Sequence, residues 1–272
     1  MGLMVTFVSG PRRSGKSVFI QELIRSEYQK PPHYLRLAAR RGDKRPPRST
    51  GKPPEPCGVS SARWLSYECD EIFDVLPTAL TDIHRQDRYG SVLIEADADP
   101  HLRHAYPYDQ RIFVLPTPIS LREVFRTADE AAGALREVLH DTAAFASEIY
   151  GMFFDGQRMI DDDASEPRRA MTASSWRSFL RSPLGDELAT RIQLQPSYHG
   201  LVESDVVLLN TANGGSLPVA DQCMRQIERL LARVHDRSPN RPQLFRCDPR
   251  DANDPQRVKL FKTLAPMCRR AK

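Results

Sequence analysis

The chain has 272 residues, of which 40% are hydrophobic and 27% charged, and its formal net charge is +4. That length accommodates one large domain or two small ones, and the apolar fraction suffices for a core, which excludes a wholly disordered chain. No apolar run approaches the roughly 20 residues of a membrane-spanning helix, and the opening stretch at residues 3–8 is too short, and lacks the basic flank, for a secretory signal. Five cysteines (Cys57, Cys69, Cys223, Cys247, Cys268) are scattered without CxxC spacing, the pattern of reduced thiols in a cytoplasmic protein. The charge is uneven. Residues 1–60 carry twelve Lys or Arg against four Asp or Glu, a local +8 that leaves −4 for the remainder. Arginine outnumbers lysine 32 to 7, and its planar fork suits phosphates and carboxylates.

In chain order, the first predicted element is the apolar run at residues 3–8, expected to be a buried parallel strand. Gly10-Pro11-Arg12-Arg13-Ser14-Gly15-Lys16-Ser17 follows and matches G-x-x-x-x-G-K-[ST] at every fixed position. Val18, Phe19, Leu23 and Ile24 then recur at helical spacing. Strand, glycine-rich loop and helix is the context in which this motif binds phosphate. Gly10 and Gly15 permit backbone angles and a close approach that a Cβ obstructs. The loop amides and the helix N-terminus face the phosphates. Lys16 is expected to reach the β- and γ-phosphates and Ser17 to ligate Mg²⁺. Arg12 and Arg13 sit at the variable positions, where they either touch phosphate or occupy a solvated loop tip.

Residues 33–39 read as a short strand. Residues 40–60, rich in proline, arginine and lysine, read as a mobile basic loop, either a flap over an anionic substrate or a solvated insertion. Residues 68–86 read as a helix that Pro77 should kink or split. Ser91-Val92-Leu93-Ile94-Glu95-Ala96-Asp97 reads as a second buried strand with an acidic end suited to holding Mg²⁺ beside the loop. Asp97 is the first choice for that carboxylate and Glu95 the second; Asp99, followed by Pro100, resembles turn chemistry.

Residues 111–115 form a further predicted strand, and residues 120–150 a long helix whose Arg122 and Arg126 are candidates to neutralise a transferred phosphoryl group. Residues 155–175 read as a polar loop. Residues 205–210 form another buried strand, followed by a turn and by a helix through Val219, Cys223, Ile227, Leu231 and Val234. Residues 244–247 form a short strand. Asp254-Pro255 supplies an N-cap and a first-turn proline for the last helix. This alternation predicts one α/β domain over residues 1–272, a three-layer parallel sheet flanked by helices.

With these motifs placed, the chain resembles the P-loop NTPases, and among them the guanylate kinase-like nucleotide kinases. Val5 to Pro11 leading into Ser14-Gly15-Lys16-Ser17 is similar to that family's opening strand and loop. Val92 to Asp97 resembles its second core segment, and Phe113-Val114-Leu115-Pro116 with Ser120-Leu121-Arg122-Glu123 resembles the strand entering its lid. The resemblance implies an ATP- and Mg²⁺-dependent kinase, with GTP possible, that transfers phosphate to a small acceptor. Residues 40–75 lack the family's inserted acceptor-binding sheet, which leaves the acceptor open. Asn210-Thr211-Ala212-Asn213 and the segment beyond residue 243 also resemble accessory GTPases of metalloenzyme maturation, which implies a nucleotide-dependent switch acting on a partner protein. The lysine and acid of their guanine-reading motif are missing. A role in binding nucleic acid through the basic segment ranks last, and no membrane partner is expected.

Overall fold

In the computed structural model the described residues are 2–39, 56–68, 71–97, 102, 105–118, 190, 194, 197–212, 217–235 and 241–269. The chain divides into two compact units, one comprising Met1–Thr117, Pro196–Gly214 and Met224–Lys272, the other Pro118–Gln195 and Gly215–Cys223. Among the described residues seven strands lie in the first unit. These are β1 (Met4–Ser9), β2 (His33–Ala39), β3 (Ser61–Tyr67), β4 (Ser91–Glu95), β5 (Gln110–Pro116), β6 (Val206–Asn210) and β7 (Gln243–Cys247). The helices are α1 (Lys16–Glu27), α2 (Ile72–Gln86), α3 (Tyr198–Glu203), α4 (Leu217–Val234) and α5 (Pro255–Arg269). In the second unit the described residues are few, chiefly the first turns of α4.

The strands form one sheet in the order β3-β2-β4-β1-β5-β6-β7, and every pairing is parallel. Parallel strands need crossover helices on the sheet faces, and both faces are therefore apolar. On one face Val8, Tyr34, Leu93, Val114, Leu208 and Phe245 pack under α1 and α5. On the other, Val5, Phe7, Leu35, Leu37, Val92 and Ile94 pack under α2. The expected α/β parallel sheet with flanking helices is thus the architecture of this unit. Because all strands point the same way, the turn after β1, the end of β4 and the end of β6 meet at one edge of the sheet.

Several elements differ from expectation. β3 was not anticipated, since Ser61-Ala62-Arg63-Trp64-Leu65-Ser66-Tyr67 is a half-exposed edge strand without a continuous apolar run. The α2 helix begins at Ile72 and passes through Pro77 as one element. Pro77 is its sixth residue and lacks the one N–H that would have reached the Phe73 carbonyl, so the helix continues with that bond of the ladder forfeited. Residues 57–59, placed in the basic loop by the sequence, are anchored: Gln21 and Cys57 exchange two side-chain to backbone hydrogen bonds, and Val59 packs on the core beneath α1. Residues 40–55, 119–189 and most of 191–196 lie outside the described residues, and with them the predicted long helix and the polar loop.

The C-terminal helix starts as its sequence indicates. The Asp254 side chain accepts from the Gln256 N–H at 2.8 Å, and Pro255 occupies the first helical position. Its Phe261 is buried edge-on against Phe19 of α1, with ring centroids 6.1 Å apart, and the Arg257 guanidinium covers the Phe261 ring at 4.4 Å. Truncating Phe261 to alanine is expected to cost roughly 3–5 kcal/mol, whereas Val258→Ala, on the solvent side of the same helix, should change stability by less than about 0.5 kcal/mol. Urea unfolding of the two variants measures both; similar losses would show that α5 is not packed through Phe261.

Candidate functional site

The turn joining β1 to α1 lies where the carboxyl ends of β4, β1 and β5 converge, and its two glycines are there for space as well as for backbone angle. Gly10 has φ 148°, and a Cβ on it would stand 2.1 Å from the Val114 carbonyl oxygen of β5. Gly15 has φ 89°, and its Cβ would stand 2.0 Å from the Asn210 side-chain nitrogen at the end of β6. Both clearances are far below contact distance, so each glycine is enforced by a neighbouring strand. Arg13 adopts the left-handed conformation at φ 61°, the one described non-glycine residue to do so. Pro11 supplies a carbonyl to the site, as described below.

Gly15 caps α1 without offering a side chain. The loop is instead held from across the sheet. Asn210, fully buried, donates from Nδ2 to the Ser14 carbonyl at 2.9 Å and accepts the Ala212 N–H at 2.9 Å. Its own carbonyl accepts from both the amide and the hydroxyl of Thr117. Asn210 therefore ties the ends of β6 and β5 to the loop. The Ser14 hydroxyl is buried with no protein partner, a polar group left inside the loop.

Lys16 folds back over the turn. Its Nζ donates to the Gly10 and Pro11 carbonyls, each at 2.8 Å, and lies 3.4 Å from Asp97 Oδ1. The ammonium is buried, which holds its pKa below the ordinary lysine range, while Asp97 and Glu95 pull the other way. Asp97 is largely exposed, and Arg12 faces it at 3.9 Å from the solvent side.

Ser17, the first-turn hydroxyl of α1, donates to Glu95 Oε1 at 2.8 Å. Glu95 is 2% exposed and its second oxygen accepts from the Tyr34 hydroxyl at 2.6 Å. Burial and the Glu95 charge push the Tyr34 phenol well above its ordinary pKa, so it stays protonated and donates. Arg36 lies 3.7 Å from the same carboxylate.

The sequence took Asp97 first and Glu95 second as the carboxylate that would hold Mg²⁺ beside the loop. In the structure Glu95 meets Ser17, and Asp97 meets Lys16. The reason is register. Val8 pairs with Glu95, so the glutamate is the last ladder residue and points to the α1 face beside Ser17. Asp97 lies past the ladder, over the loop. The donors at this point, a hydroxyl and a carboxylate, are the hard oxygen ligands that suit Mg²⁺, which keeps most of its shell as water and phosphate oxygen. Among the described residues no three His, Cys, Asp or Glu side chains gather into a metal cluster. Arg122, Arg126 and Asp99 lie outside the described residues. Asn210, Tyr34 and Arg36 were not picked out as site residues, because their roles come from pairings between distant segments.

Gly15 and Asn210 occupy one space, which a thermodynamic cycle can measure. Asn210→Ala is expected to lower stability by about 1–3 kcal/mol through the unpaired Ser14 carbonyl and Ala212 amide. Gly15→Ala should lower it further than the roughly 1–2 kcal/mol of left-handed strain, because the methyl group meets Asn210. In the double variant that collision is gone, so the combined loss should fall short of the sum by more than about 1 kcal/mol. Additive losses in urea titrations would refute the contact.

No protein-family model matches the chain, and no curated protein matches it. Among the described residues no helix is long and apolar enough to cross a membrane.

Proposed function

We propose that the β1–α1 turn is a nucleotide phosphate loop and that the protein is a Mg²⁺-dependent P-loop kinase, using ATP to phosphorylate a small acceptor. The observation that carries this reading is the meeting of Lys16, Ser17 and Glu95 at the carboxyl edge of β1 and β4, around a turn with two sterically required glycines. Carboxyl edges of parallel sheets are where such folds bind ligands.

In this reading Lys16 exchanges the Gly10 and Pro11 carbonyls for phosphate oxygens and neutralises the terminal phosphate. Loop amides and the α1 N-terminus hold the β-phosphate. Ser17, backed by Glu95, would hold Mg²⁺, which would supply positive charge to the phosphates. Asp97, exposed above Lys16, faces the acceptor. The acceptor hydroxyl oxygen bonds to the γ-phosphorus, and the bond from that phosphorus to the β–γ bridging oxygen breaks. ADP leaves and the hydroxyl proton passes to Asp97. Arg122 and Arg126 remain candidates to complete a lid. Catalysis of this kind is positioning and electrostatics, with little covalent work for the protein.

A second reading, a nucleotide-dependent accessory switch, is favoured by Asn210 and by the β7–α5 extension. Asn210 links the turn after β6, whose Ala212 carbonyl accepts from Arg250 at 3.2 Å, directly to the loop. A switch hydrolyses slowly without an acceptor and changes its association with a partner protein; a kinase is stimulated by its acceptor.

Calorimetric titration with Mg·ATP and Mg·GTP tests both readings. Binding of one nucleotide is expected, weakened at least a hundredfold by Lys16→Ala, a loss of about 2.7 kcal/mol or more. Glu95→Gln should weaken the Mg²⁺ complex more than the metal-free nucleotide. Failure of both nucleotides to bind, or equal binding by Lys16→Ala, would overturn the proposal.

A further inference from the structure

We propose that Arg36 and Trp64 form the acceptor subsite, and that the acceptor is a small anion, a phosphate or a carboxylate, whose carbon body lies against the indole. The proposal rests on the phosphate-loop reading and adds to it the chemical class of the second substrate.

Arg36 of β2 stands between two neighbours in register: Trp64 on β3 and Glu95 on β4. All three side chains share the sheet face that carries α1, at the same edge as Ser17. The Arg36 guanidinium lies over the Trp64 ring, 4.9 Å from its centroid, and this cation–π contact fixes the plane of the charge. Among the described residues Arg36 faces the Tyr34 hydroxyl and Glu95, and these two leave its five donors only partly matched. The two Glu95 oxygens already accept the shorter bonds from Ser17 at 2.8 Å and Tyr34 at 2.6 Å, and Arg36 reaches the carboxylate at 3.7 Å, beyond hydrogen-bond range. A guanidinium offers five donors in a planar fork, the geometry that binds phosphate and carboxylate in pairs. The Arg36 side chain is 30% exposed and Trp64 is 38% exposed. An accessible arginine thus lies against an accessible indole, one carboxylate away from Ser17. An anion held there brings a hydroxyl on its far end toward the phosphate loop, while its body removes the indole from water.

Trp64 and Trp176 are the two tryptophans of the chain, so a Trp176→Phe protein reports on Trp64 alone. Phenyl phosphate and benzoate, as the phosphate and carboxylate probes, are titrated against Trp64 emission, with benzyl alcohol as the neutral control, in the presence and absence of Mg·ADP. Both anions are expected to change the emission saturably, and benzyl alcohol to bind at least tenfold more weakly. Arg36→Met should weaken the anions at least tenfold by calorimetry, with Arg36→Lys recovering part of the loss. Trp64→Leu, read the same way, should bring the affinity for phenyl phosphate down to that for inorganic phosphate, and it serves if Arg36→Met fails to fold. Saturation by only one anion class identifies the acceptor's charge group. The proposal is overturned if neither anion binds saturably, if Mg·ADP displaces them fully, if the neutral probe binds equally, or if Arg36→Met and Trp64→Leu both bind like the parent. Mg·ATP titrated separately distinguishes this failure from failure of the phosphate-loop reading: loss of anion binding with intact nucleotide binding refutes the subsite only.

Discussion

One buried amide holds the site together. The turn between β1 and α1 has no capping side chain at Gly15, and a glycine-rich loop loses more backbone entropy on ordering than any other kind. The Asn210 side chain compensates from 196 positions away in the chain. It satisfies the Ser14 carbonyl, is itself pinned by Ala212, and fills the space that any residue larger than glycine at position 15 would need. The loop is therefore a product of the whole sheet. If β6 does not pair beside β5, Asn210 is not in place, and the turn loses its support even though its own sequence is intact.

The sheet contributes by alignment. Seven parallel strands bring the ends of β1, β2, β4 and β6 to one edge, and the pairing register decides which side chain meets which. Val8 opposite Glu95 sets the glutamate beside Ser17, and Arg36 opposite Glu95 sets the arginine beside that carboxylate. A shift of one residue in β4 would turn Glu95 to the α2 face and remove it from this network. The buried carboxylate is tolerated because Ser17, Tyr34 and Arg36 together supply what water would have supplied.

The sequence made local features legible and hid those that depend on pairing. The β1 run, the two glycines, Lys16 and Ser17 lie within fourteen consecutive residues, so their spacing alone carried the expectation of a strand, loop and helix. The buried strands β4, β5 and β6 were visible as apolar runs for the same reason. β3 was not, because an edge strand covered on one face needs few apolar residues, and its Ser61, Arg63, Trp64 and Ser66 do not stand out from a loop. Which of Glu95 and Asp97 meets Ser17 was not legible, because a strand's end can be read from sequence and its register cannot. Asn210 was noticed for its resemblance to a base-reading motif, and its grip on the loop follows only from the adjacency of β5 and β6. Pro77 was expected to kink or split a helix, and α2 runs through it unsplit.

Tyr34 sets apart the two carboxylates of the site. It donates to Glu95 from inside the core, and burial together with the Glu95 charge holds its phenol above the ordinary tyrosine range. The hydroxyl therefore keeps its proton and fixes the carboxylate so that its other oxygen faces Ser17. Asp97, on the outer side, is open to water. The two carboxylates at this edge of the sheet therefore differ in access, with Glu95 walled in behind the turn and Asp97 at its rim, open to solvent.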